Sequence, residues 1–260
     1  MCVIIFIKKG QTVSEEELKN AWRTNSDGAG YSVQIKHNGK DVVKFHRGFM
    51  TFKPFYKAIS QYMGSHNLML HFRITTSNKV NQMQTHPYKK SDIKALYGFT
   101  EQPVIAMNGI ISDQAIYKGF NDTMSYIVDH QGAFKVINQD IINIIADATN
   151  CRWAAMLPDQ VLLSDNFIEE EGIYYSNLNH KTVYNYLKCY PKRQSMRDLI
   201  KSKKLRKQIQ KDKTLYINLL DFIDFNCNSD YYHCIYCEKC LKSCKTIHDV
   251  KDKLYTEYYY

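Results

Sequence analysis

No stretch of the sequence approaches the roughly twenty consecutive apolar residues of a membrane-spanning helix, which argues against a helical span. A secretory signal is also lacking. The opening run Cys2-Val3-Ile4-Ile5-Phe6-Ile7 is apolar but short, and Lys8 and Lys9 follow it rather than precede it. No internal repeat is visible, so repeat architectures are not expected. With neither signal nor span, the expected compartment is the cytoplasm, where thiols stay reduced. Acidic residues are the scarcer charge, 26 against 35 Lys and Arg, giving a net +9. That balance favours a polyanionic partner only if the charge is clustered.

What is present is enough for a folded core. Hydrophobic residues make up 44% of 260, which argues against disorder over most of the length. The length admits one large domain, or one domain with a small appendage. Residues 2–9 form a β-branched apolar run, expected to be a buried strand. Ser14-Glu15-Glu16-Glu17 is a capping box that starts a helix running to about Trp22 or Arg23. Asn38-Gly39 marks a tight hairpin between alternating segments 31–37 and 41–47. A helix is expected over 55–63 behind Pro54, strands over 67–73 and 104–107, and a long polar loop between those strands. Two short helices are expected in 111–129 and one in 139–148, followed by a hairpin turning at Pro158-Asp159. Strands, then helices, then strands again suggest an α+β sandwich rather than an alternating parallel sheet. Composition shifts near residue 188, which sets the expected domains as 2–188 and 189–260.

Cys2 is the first residue with chemical content. Removal of Met1 would place a thiol and a free α-amine on one residue. An amine titrating near ~8 can act as a base at neutral pH and activate its own thiol. Alone, a Met-Cys start reads equally as a buried cysteine in a first strand. Other segments change its weight. His71-Phe72-Arg73-Ile74-Thr75-Thr76-Ser77 ends a strand with a fixed cation and hydroxyls, and Thr85-His86-Pro87-Tyr88 follows in a loop. Val104-Ile105-Ala106-Met107-Asn108-Gly109 ends another strand at an Asn-Gly pair, and Phe120-Asn121-Asp122-Thr123 opens a helix. In this order these segments resemble the glutaminase domain of class II glutamine amidotransferases. The loop Arg23-Thr24-Asn25-Ser26-Asp27-Gly28-Ala29-Gly30 and the run from Phe167 to Ser176-Asn177 extend the likeness over roughly residues 2–180.

The resemblance implies a four-layer αββα N-terminal-nucleophile sandwich and a set of roles. Cys2 would attack the side-chain amide of glutamine, yielding glutamate and ammonia through a thioester. The Asn108 amide and the Gly109 N–H would hold the oxyanion. Arg73 would bind the α-carboxylate, Asp122 the α-ammonium, and Thr76 a further polar group of the substrate. Arg23 and Asn25 would orient the chain start. Read without the family, Asn108-Gly109 is a turn, Arg73 a surface ion pair and Asp122 a helix cap. Two positions depart from the family pattern: Met107 stands where a His is common, and Met124 replaces an acid. Only about seventy residues remain beyond the resemblance, too few for an ammonia-consuming synthase domain. The implied partner is therefore a separate acceptor protein.

The final segment carries its own signal. Cys234, Cys237, Cys240 and Cys244, flanked by Cys227, His233 and His248, form a dense thiol cluster in a polar context. Such spacing in a reducing compartment suggests zinc, with a metal-free thiol cluster or an iron–sulfur cluster as the alternatives. Cys151 and Cys189 stand apart and read as packing residues. The basic stretch 192–213 reads as a solvated helix or linker, or else as a nucleic-acid contact. Two rival functions follow: a hydrolase for another amide, or a non-catalytic scaffold binding nucleic acid through the Cys-rich end. The intact mass of the purified chain is expected to be short by one methionine. Elemental analysis is expected to find about one zinc per chain, lost on Cys237→Ser.

Overall fold

The computed structural model describes residues 2–75 and 80–181. The first compact unit runs from Met1 to Leu178. The expected boundary at 188, the basic stretch, the cluster Cys234, Cys237, Cys240 and Cys244, and Thr76 all lie outside the described residues. The fold is mixed α/β, and every strand pair among the described residues is antiparallel.

Strand β1 (Val3–Ile7) is buried at every position, as its apolar run predicts. Helix α1 (Glu15–Thr24) starts where the capping box places it, with Ser14 Oγ accepting from the Glu17 N–H at 3.1 Å. Three glutamates in its first turn complement the helix dipole. β2 (Ala29–His37) and β3 (Lys40–Phe49) form the expected hairpin. Asn38 and Gly39 both take the positive φ that its two-residue turn needs, 51° and 79°. Helix α2 (Phe52–Ser60) begins three residues earlier than expected. Pro54 is tolerated there because a first-turn N–H needs no partner within the helix, and Phe55 and Ile59, one turn apart, are the buried pair.

β4 (Leu68–Phe72) pairs with both β1 and β2. The segment expected to be a long loop instead contains β5 (Tyr88–Lys89) and β6 (Tyr97–Thr100). β7 (Val104–Asn108) follows. Residues 111–121 do not form the expected helix. The only helices near them are α3 (Asp122–Asp129) and α4 (Gln131–Lys135), because side chains take the backbone donors of this loop. Asp122 accepts from the Ile111 N–H and Ser125 from the Tyr117 N–H. α5 (Gln139–Thr149) precedes the hairpin of β8 (Arg152–Met156) and β9 (Val161–Leu163). A last hairpin, β10 (Ile168–Glu170) and β11 (Ile173–Tyr175), returns to β1.

Two sheets result, a seven-stranded one in the order β10-β11-β1-β4-β2-β3-β6 and a four-stranded one in the order β5-β7-β8-β9. Side-chain alternation sorts the core into three clusters. Val3, Ile5 and Ile7 join Leu18, Phe55 and Ile59 from α1 and α2. Ile4, Phe6, Phe45 and Met69 join Val104, Ala106, Ala154 and Met156 of the smaller sheet. Met107, Trp153 and Ala155 join Met124, Ile127, Phe134 and Ile145 from α3, α4 and α5.

One buried cation holds the loop between β4 and β7 in place. Arg47 is only 1% exposed. Its guanidinium donates to the carbonyls of Ala95 (2.8 Å), Met83 (2.6 Å), Thr85 (3.1 Å) and Ile93 (2.8 Å), and lies 4.8 Å from the Tyr88 ring centroid. The crossing works only over a glycine. A Cβ on Gly30 would fall 2.2 Å from His86 O and 2.6 Å from Arg47 Cβ. Arg47→Met is expected to lower stability by about 3 kcal/mol, since several buried carbonyls lose their donor. Arg47→Lys should recover less than half of that, because an ammonium cannot reproduce the planar fork. Urea unfolding of the three proteins measures both effects.

Candidate active site

Cys2 precedes β1 on the face that carries Ile4 and Phe6, and Asn108 follows Val104 and Ala106 on β7. The inter-sheet cluster that joins those four residues therefore puts Cys2 and Asn108 next in line on facing strands. Beyond them opens a cavity of about 180 Å³ lined by Cys2, Arg73, His86, Gly109, Asp122 and their neighbours. That volume suits a small metabolite rather than a large ligand. The Cys2 sulfur accepts from the Ile74 N–H at 3.3 Å and lies 3.5 Å from Ile74 O. Burial pushes its pKa up, while the Ile74 N–H and the Arg73 charge pull it back and Asp122 pushes it further up. The resting group is thus a thiol, within the electrostatic reach of one cation and one anion. Asn177 Nδ2 fixes the Cys2 carbonyl at 2.7 Å.

Arg73 continues from β4, its backbone tied to the Asp-Gly loop by Arg73 N–H to Gly28 O (2.8 Å) and Asp27 N–H to Arg73 O (3.0 Å). Its side chain is buried, not on the surface. Nη2 donates to Gln84 Oε1 at 3.1 Å. Nη1 is buried without a hydrogen-bond partner, and no carboxylate among the described residues forms a salt bridge with the group. A buried, uncompensated guanidinium facing a cavity is a site for an anion carried by a ligand.

Asp122 is not the cap of its helix. Asn121 takes that role, accepting from the Met124 N–H at 2.8 Å and donating to Tyr88 Oη at 2.7 Å. Asp122 is left free to face the cavity. Its Oδ2 accepts from Ile111 N–H at 3.0 Å and its Oδ1 from Thr123 N–H at 2.8 Å, so the carboxylate is aimed by backbone donors.

Gly109 has φ 154°, and a Cβ there would fall 2.3 Å from Cys151 Sγ. Cys151 is a packing residue, as expected. It packs directly behind Gly109, and its thiol is held up in pKa chiefly by burial. Asn108 is buried, with Nδ2 donating to Ser176 Oγ at 2.9 Å and Oδ1 without a partner. Met107, the departure from the family pattern, packs its side chain beside Trp153 and uses its backbone at the site. Its N–H lies 3.5 Å from His86 Nδ1 and its carbonyl 3.2 Å from His71 Nε2.

Two further residues were expected to orient the chain start. Arg23 does not orient the chain start; it sits half exposed in an ion pair with Glu16 and a hydrogen bond to Asn20. Asn25 caps the C-terminus of α1, donating to Ala21 O and Thr24 Oγ1. The residues not assigned a role from sequence are Gln84, His86 and Ser176. Of these, His86 carries a visible signal, a histidine directly before a proline in a loop. Among the described residues no group of three His, Cys, Asp or Glu side chains is placed to hold a metal ion, and no helix is long and apolar enough to cross a membrane. The sequence matches no protein-family model and no curated protein.

The paired rings of His71 and His86, with centroids 4.2 Å apart, are buried beside Arg73. Burial is the main cause that lowers His71 from 6.5 to about 3, and it takes His86 well below 6.5, with nearby cations adding to the effect. Both are neutral at pH 7. Above 6.5 neither state binds their protons and they contribute no pH dependence. Below it the unfolded chain takes up protons that the folded chain refuses, so stability falls with pH until His71 itself protonates near 3. Urea unfolding between pH 7.5 and 4.5 is expected to show this loss, with a slope reduced by about one proton in His71→Gln.

Proposed function

We propose that residues 2–178 form a glutaminase, releasing ammonia from glutamine for a separate acceptor protein, on a four-layer αββα N-terminal-nucleophile fold. Three apolar clusters support the layering: helices on one sheet, sheet on sheet, and helices on the second sheet. One observation carries the activity. A single small cavity joins a thiol, an orphaned buried guanidinium and a carboxylate aimed by backbone N–H groups. A guanidinium and a carboxylate lining one cavity sized for a metabolite match the α-carboxylate and α-ammonium of one free amino acid. The side chain of that amino acid then points at Cys2.

The chemistry starts once Met1 is removed. The α-amine of Cys2 takes the thiol proton, and the thiolate attacks the side-chain amide carbon of glutamine. Negative charge moves onto the amide oxygen, stabilised by the Gly109 N–H and the Asn108 side chain. The ammonium returns its proton to the nitrogen, ammonia leaves, and a thioester joins Cys2 to the glutamyl group. The amine then deprotonates a water, which attacks the thioester and releases glutamate with the thiol restored. Because burial holds the thiol in its protonated form, the adjacent amine does work that a preformed thiolate would not need.

Glutamate release from glutamine tests the reading. Cys2→Ala is expected to abolish it. Arg73→Met and Asp122→Asn are each expected to raise KM for glutamine by roughly 30- to 100-fold, the loss of one charge-assisted contact. Activity toward simple amides equal to that toward glutamine would point instead to a general amidase. A chain that releases no glutamate and binds RNA regardless of Cys2→Ala would point to a scaffold.

A further inference from the structure

Ser176 follows β11 and is fully buried. Its hydroxyl oxygen receives two donors, Ile4 N–H at 2.8 Å and Asn108 Nδ2 at 2.9 Å, while its own backbone N–H donates to Ile4 O at 2.9 Å. With the oxygen's acceptor capacity filled, the hydroxyl proton has no acceptor among the described residues. Asn108 Oδ1, on the side chain bonded to it, is buried with no donor. Two complementary unmet groups thus sit on adjacent residues, an arrangement that buried polar groups rarely keep.

A half-turn of the Asn108 amide satisfies both. Ser176 Oγ–H then donates to Oδ1 while its oxygen still accepts from Ile4 N–H, and Nδ2 takes the position that Oδ1 held, where its protons have no partner among the described residues. The amide has two orientations that differ in what they offer a ligand: an acceptor in one, a pair of donors in the other. Only the second suits a negative oxygen beside Gly109. We infer that Ser176 is a positioning residue that selects the donor orientation of Asn108, using β1 itself, through the Ile4 amide, to aim its single proton. The role rests on the glutaminase reading, since it matters only if an oxyanion forms.

Ser176→Ala removes the hydroxyl and leaves every atom of Asn108. For glutamate release, kcat is expected to fall about tenfold or more, with KM changed by less than about twofold, because the α-carboxylate and α-ammonium contacts lie elsewhere. In an Asn108→Ala background the same substitution is expected to change kcat by less than about twofold, since there is no amide left to aim. An unchanged kcat in the parent background, or an equal fall in both backgrounds, would overturn the role. If the alanine variant does not fold by circular dichroism, Ser176→Cys is measured in the same two backgrounds and judged by the same comparison. Its thiol is only a weak donor and a weak acceptor, so kcat is still expected to fall in the parent background alone. A parent chain silent on glutamine removes the glutaminase reading and this role with it; an active parent indifferent to Ser176 removes only this role.

Discussion

The site depends on a charge that never touches it. Arg47, buried on β3, collects the carbonyls of Met83, Thr85, Ile93 and Ala95 and so converts an irregular segment into a fixed wall. That wall presents Gln84 to Arg73, Tyr88 to Asn121, and His86 to the cavity. Two of these in turn set a group that lines the cavity. Gln84 holds one half of the Arg73 guanidinium and leaves the other half free, and Tyr88 anchors the cap that releases Asp122. Backbone carbonyls satisfy a guanidinium without neutralising it, so the positive field at the cavity is kept. The two neutral histidines beside it are one consequence of that field, added to their burial.

The architecture places its chemistry at strand ends. β1 and β7 stand in different sheets and share the inter-sheet cluster, and at one edge of it their alternation delivers Cys2 and Asn108. Arg73, just after β4, and Asp122, the first residue of α3, supply the cation and the anion from two further directions. Gly109 lets the chain pass against Cys151 with no room for a side chain, which brings a backbone donor to the cavity edge. The groups that line the cavity thus sit in regular elements or directly beside them, and the loop beyond Gly109 carries the rim, including the exposed Ile110 and Ile116.

Regular local chemistry was legible in the sequence. Ser14 with its glutamates fixes the start of α1, and Asn38-Gly39 fixes the hairpin, because both depend on residues within a turn of one another. β6 was not legible. Tyr97 and Phe99 are exposed on an edge strand, so no inward-facing alternation marks it, and it exists through pairing with β3. The segment 111–121 carries a helix-like pattern that side-chain acceptors override. Within the site, Arg73, Asn108, Gly109 and Asp122 were identified through a likeness to other proteins, since their spacing alone carries no geometry. Arg47 gave no sign at all: an arginine in a strand reads as a surface residue, and its burial is decided by carbonyls more than thirty residues away.

β1 lies between β4 and β11, and its partners arrive at very different times during synthesis. Leu68–Phe72 can pair once the first third of the unit has emerged from the ribosome, whereas Ile173–Tyr175 and the Ser176 and Asn177 side chains come last. Until then the first strand has a partner on one side only. The long separation between these strands makes folding slow in the way non-local pairings do. It also means that β1 passes through a stage as a sheet edge before β11 completes the pairing around it.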